Sequence, residues 1–307
     1  MSPQNILELH APAKINLSLE ILYRRDDGFH ELKTVMQELA FGDLLHMAEM
    51  PEGHLKLYCD DPVLPTGKEN LAFQAASLLR DHYAPTRGAS LTLYKRIPVA
   101  AGLGGGSSDA AAVLKGLNKL WKLNLQLEPL QELAAELGSD VPFFLHGKTA
   151  LAAGRGERIA PLPTLPPIPV LLISLPGQVL STALVYRSLR WDKIKSGENT
   201  GNLIWLLTEG WERIKDKNDW VPQLYHFMIN DLETGAFALA GNLSSLKEEL
   251  QQMGLMPLLS GSGPTFFALC PDSDKLRAMG DELSAKGYRV ILTTFAQESG
   301  VRNQDAE

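Results

Sequence analysis

The amino-acid sequence predicts an α+β protein in two halves. Three observations lead there. Strand-like and helix-like runs occur on both sides of the middle of the chain, a proline-dense stretch divides them, and 307 residues suffice for one large or two modest cores. The divider is "RIAPLPTLPPIP" at 158–169, with prolines at 161, 163, 166, 167 and 169. It sets the expected domains at 1–160 and 161–307.

In the first half, "NILELHAPAKINLSLEIL" (5–22) and "ASLTLYKRIP" (89–98) alternate apolar and polar residues like half-buried strands. "ENLAFQAASLLRDHY" (69–83) and "EPLQELAAELG" (128–138) have the helical period, the latter with Pro129 in its first turn and Gly138 just past its end. The second half opens on "PVLLISLP" (169–176), a buried-strand run. Helical stretches follow at "LIWLLTEGWERI" (203–214) and "NLSSLKEELQQMG" (242–254), then strands at "PTFFALCP" (264–271) and "YRVILTTF" (288–295). The polar tail from Gln297 is expected to be loosely ordered.

Charge and cysteine usage exclude several functions. With 29 basic and 36 acidic residues the net charge is -7 and no block of like charge stands out, so neither nucleic acid nor an anionic membrane is the expected partner. Cys59 and Cys270 lie far apart without a CxxC pair, which argues against a zinc site or a disulfide framework. The N-terminus has no basic-then-apolar leader pattern, and cytoplasmic placement is expected. Composition leaves monomer and homodimer open.

The chemistry-bearing stretch is "PVAAGLGGGSS" at 98–108, followed by the helix-prone "DAAAVLKGL". Glycines 102, 104, 105 and 106 let backbone N–H groups converge on an anion, and a helix starting near Ser107 adds its N-terminal dipole. A phosphate is the natural occupant. The loop is neither a dinucleotide fingerprint, since Ser107 or Asp109 falls where the last glycine belongs, nor a P-loop, since Pro142 precedes "HGKT" and Pro62 precedes Gly67-Lys68 where glycines are required. The plain alternative is a ligand-free turn with Ser107 or Ser108 as N-cap. Asp109 suits the helix dipole but would repel a phosphate, so its carboxylate should turn away or face a cation.

These residues resemble the central phosphate-binding motif of the GHMP kinases. "APAKINLSLEIL" (11–22) and "LLSGSGPTFFAL" (258–269) resemble that superfamily's first and third motifs, in order. "RRDDGFHELKTVMQ" (24–37), "LGSDVPFFLHGKTALAAGRGE" (137–157) and "INDLE" (229–233) extend the similarity along nearly the whole chain, toward the branch whose acceptor is a cytidine-diphosphate-linked methylerythritol.

The resemblance implies a two-domain fold, with an N-terminal half like ribosomal protein S5 domain 2 and a GHMP kinase C-terminal half, enclosing a cleft. It implies transfer of the γ-phosphoryl of ATP, carried with Mg2+, to the acceptor's 2-hydroxyl, with Lys14 and Asp140 catalytic. ATP would lie on Pro98, Ala101, Gly102, Leu103, Gly104, Gly105, Gly106, Ser107 and Ser108, with Ser107 or Ser108 as a hydroxyl ligand of the metal. The acceptor would lie on Asn16, Phe29, His30, Lys95, Thr182 and Tyr186. Phe29 stands where many members carry tyrosine, which keeps a stacking ring and removes a hydroxyl.

Each residue also has a plain structural reading. Asp140, after Gly138 and before Val-Pro, suits a turn or helix cap; Lys14 and Lys95 suit solvated strand lysines; Gly261-Ser262-Gly263 suits a tight turn; "INDLE" reads as a helix-terminus network. His30-Glu31 is not a metalloprotease motif, because position 34 is Thr34. The rival functions are a homoserine- or mevalonate-type kinase, which has no use for a cytidine segment, and a nucleotide or sugar sensor, which has no use for both Lys14 and Asp140.

Overall fold

A computed structural model describes residues 6–51, 53–194, 197–210, 214 and 219–298. The predicted first strand is β1, Leu7–Arg24, and it pairs antiparallel along nearly its whole length with β2, His30–Met50. The sequence pattern does not mark β2 as a strand. Burial along β1 is nearly continuous rather than alternating, because the sheet carries a packed layer on each face.

The first sheet grows from β2. Its C-terminal part pairs with β4, Gly88–Tyr94, which pairs in parallel with β3, Leu55–Cys59, across α1, Leu71–Tyr83. Its N-terminal part pairs with β5, Thr149–Gly154, which hairpins into β6, Arg158–Pro161. One face packs on α1, α2 (Gly105–Leu120), α3 (Leu127–Leu137) and α4 (Val141–His146), burying Leu9, Met36, Leu91, Leu114 and Phe143. The other face offers Ile15, Leu17, Val35 and Leu39 to the second half.

The second sheet begins at β7, Pro169–Ser174, and the expected division at 160/161 falls inside β6, the last strand of the first sheet, rather than between the sheets. The proline stretch is not a loose linker: Leu165 and Ile168 are buried in the core between the sheets. After β7 come α5 (Thr182–Arg187), a 3-10 turn at Trp191–Lys193, and α6 (Asn199–Trp205), which runs into a π-helical turn at Leu206–Gly210. Of the predicted helix 203–214, residues 211–213 lie outside the described residues, as does most of the polar tail.

Next come α7 (Trp220–Phe227), β8 (Ile229–Asn230), α8 (Glu233–Leu239), α9 (Gly241–Gln252), β9 (Leu258–Leu259), β10 (Phe266–Leu269), α10 (Ser273–Ala285) and β11 (Arg289–Thr294). Among the described residues the second sheet has the antiparallel order β11-β7-β10-β9. The halves share backbone bonds. β8 adds in parallel to β1, Leu39 bridges Phe295, and the Ala296 N–H donates to the Glu38 carbonyl at 3.0 Å.

Candidate functional site

The glycine loop departs from the predicted cap. Helix α2 starts inside the glycines, two residues earlier than expected, and its N-cap is Gly104, at φ 75° with no side-chain cap bond. The first helical bond runs from the Ser108 N–H to the Gly104 carbonyl at 2.9 Å, which leaves the N–H groups of Gly105, Gly106 and Ser107 without intrahelical acceptors. They face a cleft of about 1130 Å³. No serine closes the helix end, so it stays available to an anion.

Two glycines are demanded by close approach. A Cβ at Gly102, whose φ is 77°, would collide with the Ser260 carbonyl of the third motif, whose hydroxyl also donates to the Gly102 carbonyl at 2.9 Å. A Cβ at Gly104 would lie 2.8 Å from the Phe144 ring and 3.0 Å from Lys14 Cγ. The Lys14 N–H donates to the Leu103 carbonyl at 2.9 Å, so β1, the central loop and the third loop are fastened together.

Lys14 and Asn16 share a face of β1, as their spacing of two predicts. Lys14 Nζ donates to Asn16 Oδ1 at 2.7 Å, Asn16 Nδ2 donates to Thr34 Oγ1 at 2.8 Å, and Thr34 donates to the Ser18 carbonyl. That chain fixes which end of the Asn16 amide faces the lysine. Lys14 Nζ also stands 3.4 Å from Asp140 Oδ2; the lysine side chain is 4% exposed and the aspartate 38%. Asp140 occupies the residue before α4 but makes no side-chain cap bond, so the cap reading does not describe it.

Lys95 is not the solvated strand lysine of its plain reading. Its ammonium is buried between the Asp43 and Asp109 carboxylates, the latter at 2.9 Å, and Asp43 also accepts the Ile97 N–H at 2.8 Å. Lys95 lines the cleft with two of its three donors given to these acids. Burial pushes the Asp109 carboxyl up to about 7; Lys95 opposes the rise and Asp43 adds to it. Burial depresses the Lys95 ammonium, but the two carboxylates outweigh it and hold the group above its ordinary value. The expectation that Asp109 faces a cation is met by Lys95.

Ser108 needs correction as a site residue. Because α2 begins at Gly105, position 108 is rotated about 100° from 107 and points into the protein. Its hydroxyl is buried without a hydrogen-bond partner in a small cavity with His10, Glu38 and Lys115, away from the cleft. Ser107 lines the cleft instead. Magnesium needs few protein ligands when phosphates and water supply the rest, and its preferred donors are oxygens. The Ser107 hydroxyl and Asp109 Oδ1, which is buried and unpartnered, fit that requirement; among the described residues no group of three or more acids, histidines or cysteines could hold a metal by itself.

At the other end of the cleft His30 stacks on Tyr186 with centroids 4.9 Å apart, and on Trp191 at 5.9 Å. Burial, helped by Arg24, depresses the His30 imidazole, and burial raises the Tyr186 phenol. Phe29 is half exposed beneath the Arg155 guanidinium, and Thr182 shares a hydrogen bond of 2.9 Å with Ser262 of the third loop. Pro98, Ala101 and the rest of the predicted residues, Ser108 excepted, line this one cleft. Trp191 and Arg155 were missed. Trp191 lies outside every motif, whereas Arg155 sat between two glycines inside a recognised segment, a signal that could have found it.

"INDLE" is structural. Asn230 donates to the carbonyls of Leu259 and Gly261 at 2.7 and 2.8 Å, Asp231 accepts the Ile21 N–H at 2.8 Å, and Glu233 accepts the Leu259 N–H at 3.0 Å. These bonds hold the third loop against β1.

An anion-binding helix start, a buried lysine and a half-exposed acid in a cleft between two such sheets define a small-molecule kinase of the GHMP type. The sequence bears this out: residues 70–148 match the profile of the GHMP kinases N terminal domain and 207–289 that of the GHMP kinases C terminal domain. The 4-diphosphocytidyl-2-C-methyl-D-erythritol kinase of Geobacillus sp. (strain WCH70) is 40% identical over 88% of this chain and 90% of its own. That of Bacillus subtilis (strain 168) is 40% identical over 87% and 89%. A crystal structure of 4-(cytidine 5'-diphospho)-2C-methyl-D-erythritol kinase superposes with TM-score 0.78 at 37% identity, covering 95% of this chain and all of that one. A homoserine kinase from Cytophaga hutchinsonii, at 18% identity and TM-score 0.74, shares the fold. The chain belongs to the 4-diphosphocytidyl-2-C-methyl-D-erythritol kinases, and it is an ATP-dependent phosphotransferase.

Proposed function

We propose that the protein transfers the γ-phosphoryl of ATP to the 2-hydroxyl of 4-diphosphocytidyl-2-C-methyl-D-erythritol, a step of the non-mevalonate route to isoprenoid precursors. The observation that carries this reading is the Lys14–Asp140 pair, which lies in the same cleft as the uncapped glycine helix and the aromatic cluster. Triphosphate binds at the open N–H groups of Gly105, Gly106 and Ser107. The cytosine binds among Phe29, His30 and Tyr186, with Trp191 closing the cluster. The acceptor's hydroxylated chain then lies over Asn16, Lys14 and Asp140.

Asp140 accepts a hydrogen bond from the acceptor hydroxyl and aligns its oxygen with the γ-phosphorus. As the new O–P bond forms and the bond to the β-phosphate oxygen breaks, the hydroxyl proton passes to Asp140 and ADP leaves. Phosphoryl transfer proceeds through a loose transition state, so the proton moves late, after Asp140 has oriented the hydroxyl. Lys14, 3.4 Å from the Asp140 carboxylate, balances charge on the transferring group. Magnesium, carried with ATP, supplies neutralisation of the phosphate charge, and Ser107 and Asp109 Oδ1 are the atoms that would hold it. Lys95 anchors the loop from below.

The test is ADP release with Mg-ATP and 4-diphosphocytidyl-2-C-methyl-D-erythritol, run beside homoserine and mevalonate. Turnover on the cytidyl alcohol alone is expected. Turnover on homoserine or mevalonate instead, or on none of the three despite ATP binding, contradicts it.

A further inference from the structure

We propose that Arg155 reads the diphosphate of the acceptor substrate and that, before substrate arrives, its guanidinium rests on the ring that will stack the base. The inference builds on the cytidyl alcohol being the acceptor. Arg155 lies in the turn between β5 and β6 with its guanidinium carbon 4.8 Å from the Phe29 ring centre. Its surroundings separate it from four neighbouring cations. Lys14 faces Asp140, Lys95 is enclosed by Asp43 and Asp109, Arg25 binds Asp27 and Glu31, and Arg158 binds Glu31. Among the described residues no ion pair within 4 Å involves the Arg155 guanidinium, although Asp27 feels its charge at longer range, so its fork of donors stays available beside a stacking ring.

Position supplies the second argument. The turn carrying Arg155 abuts the loop carrying Asp140: a Cβ at Gly156 would stand 3.6 Å from the Ser139 carbonyl and 3.8 Å from Asp140 Oδ1. Arg155 therefore lies between the ring at Phe29 and the acid at Asp140. The substrate has the same order, with its diphosphate between the cytidine and the hydroxyl to be phosphorylated. Arg24 and Arg187 also line the cleft; Arg155 is distinguished by its place over the Phe29 ring, in the turn that abuts the Asp140 loop.

Chemistry supplies the third. A cytosine and a guanidinium cannot occupy one face of Phe29, so stacking the base displaces the cation, which then meets the phosphates of the same ligand in bidentate hydrogen bonds. Base and diphosphate recognition are thereby coupled through one side chain. The turn does not depend on that side chain, because the Arg155 N–H donates to Glu157 Oε2 at 2.6 Å, so variants at 155 should fold.

The experiment measures, in the full-length protein, KM for acceptor and ATP and competitive inhibition by CDP and by cytidine, for wild type, Arg155→Met and Arg155→Lys. In Arg155→Met the acceptor KM and the CDP inhibition constant should rise about tenfold or more, with cytidine inhibition and ATP KM within about twofold of wild type. Arg155→Lys should recover part of the CDP affinity, because the charge stays and the fork is lost. Equal weakening of CDP and cytidine would make Arg155 a wall of the base pocket and overturn the proposal, as would no change in either. Absence of wild-type turnover on the acceptor would instead overturn the substrate assignment.

Discussion

Two lysines stand at the floor of the same cleft, and their surroundings assign them different work. Lys95 is held by two buried carboxylates, one of which also takes backbone N–H groups of the loop. Lys14 meets one carboxylate at 3.4 Å, and that carboxylate is 38% exposed to the cleft. A cation whose partners are all protein holds structure together; one whose acid is open on its far side is set up to act on a ligand. Type and spacing of residue did not distinguish them, and the identity and exposure of the partner did.

The sharpest way to break this comparison is to remove the lysine of the closed set. Lys95→Met leaves two buried acids without their cation and is expected to cost about 3–5 kcal/mol of stability, read by denaturant unfolding. Lys14→Met should lower kcat by about a hundredfold or more at nearly unchanged stability, since Asn16 keeps its bond to Thr34. Equal effects of the two substitutions on unfolding would dissolve the distinction.

Smaller effects refine it. Ser107→Ala should raise the magnesium concentration needed for half-maximal rate several-fold, while Ser108→Ala, which alters a hydroxyl outside the cleft, should leave that dependence unchanged; a magnesium titration decides. Asp231 gives the mildest test. Burial raises its carboxyl to about 6, so the native state holds the proton more tightly than the unfolded chain does. Its stabilising contribution is complete below pH ~4 and lost as pH rises through about 6. Asp231→Asn, which still accepts the Ile21 N–H, should therefore gain about 1 kcal/mol on wild type between pH 4 and 7 in unfolding curves.

Much of the site was legible because local rules apply to it. A spacing of two puts Lys14 and Asn16 on one strand face, and four glycines ahead of an alanine-rich helix describe an anion cradle. What was not legible depends on distant partners. Asp43, which claims Lys95, lies on a strand the sequence does not mark, since β2 splits its two parts between different neighbours and is buried on both faces. The start of α2 was misplaced because a glycine N-cap leaves no cap residue to read, and that two-residue shift turned Ser108 from ligand to interior. Trp191 joins the aromatic cluster only through the packing of the 3-10 turn after α5.

The most direct measurement is the single-turnover rate of phosphoryl transfer in Asp140→Asn, with ATP affinity and thermal unfolding followed on the same sample. The account predicts a fall of about a thousandfold, within the range a positioned acid or base supplies, with ATP affinity and midpoint unchanged. A rate within tenfold of wild type would contradict the assignment of Asp140 to the acceptor hydroxyl and leave the exposed acid beside Lys14 without its chemical role.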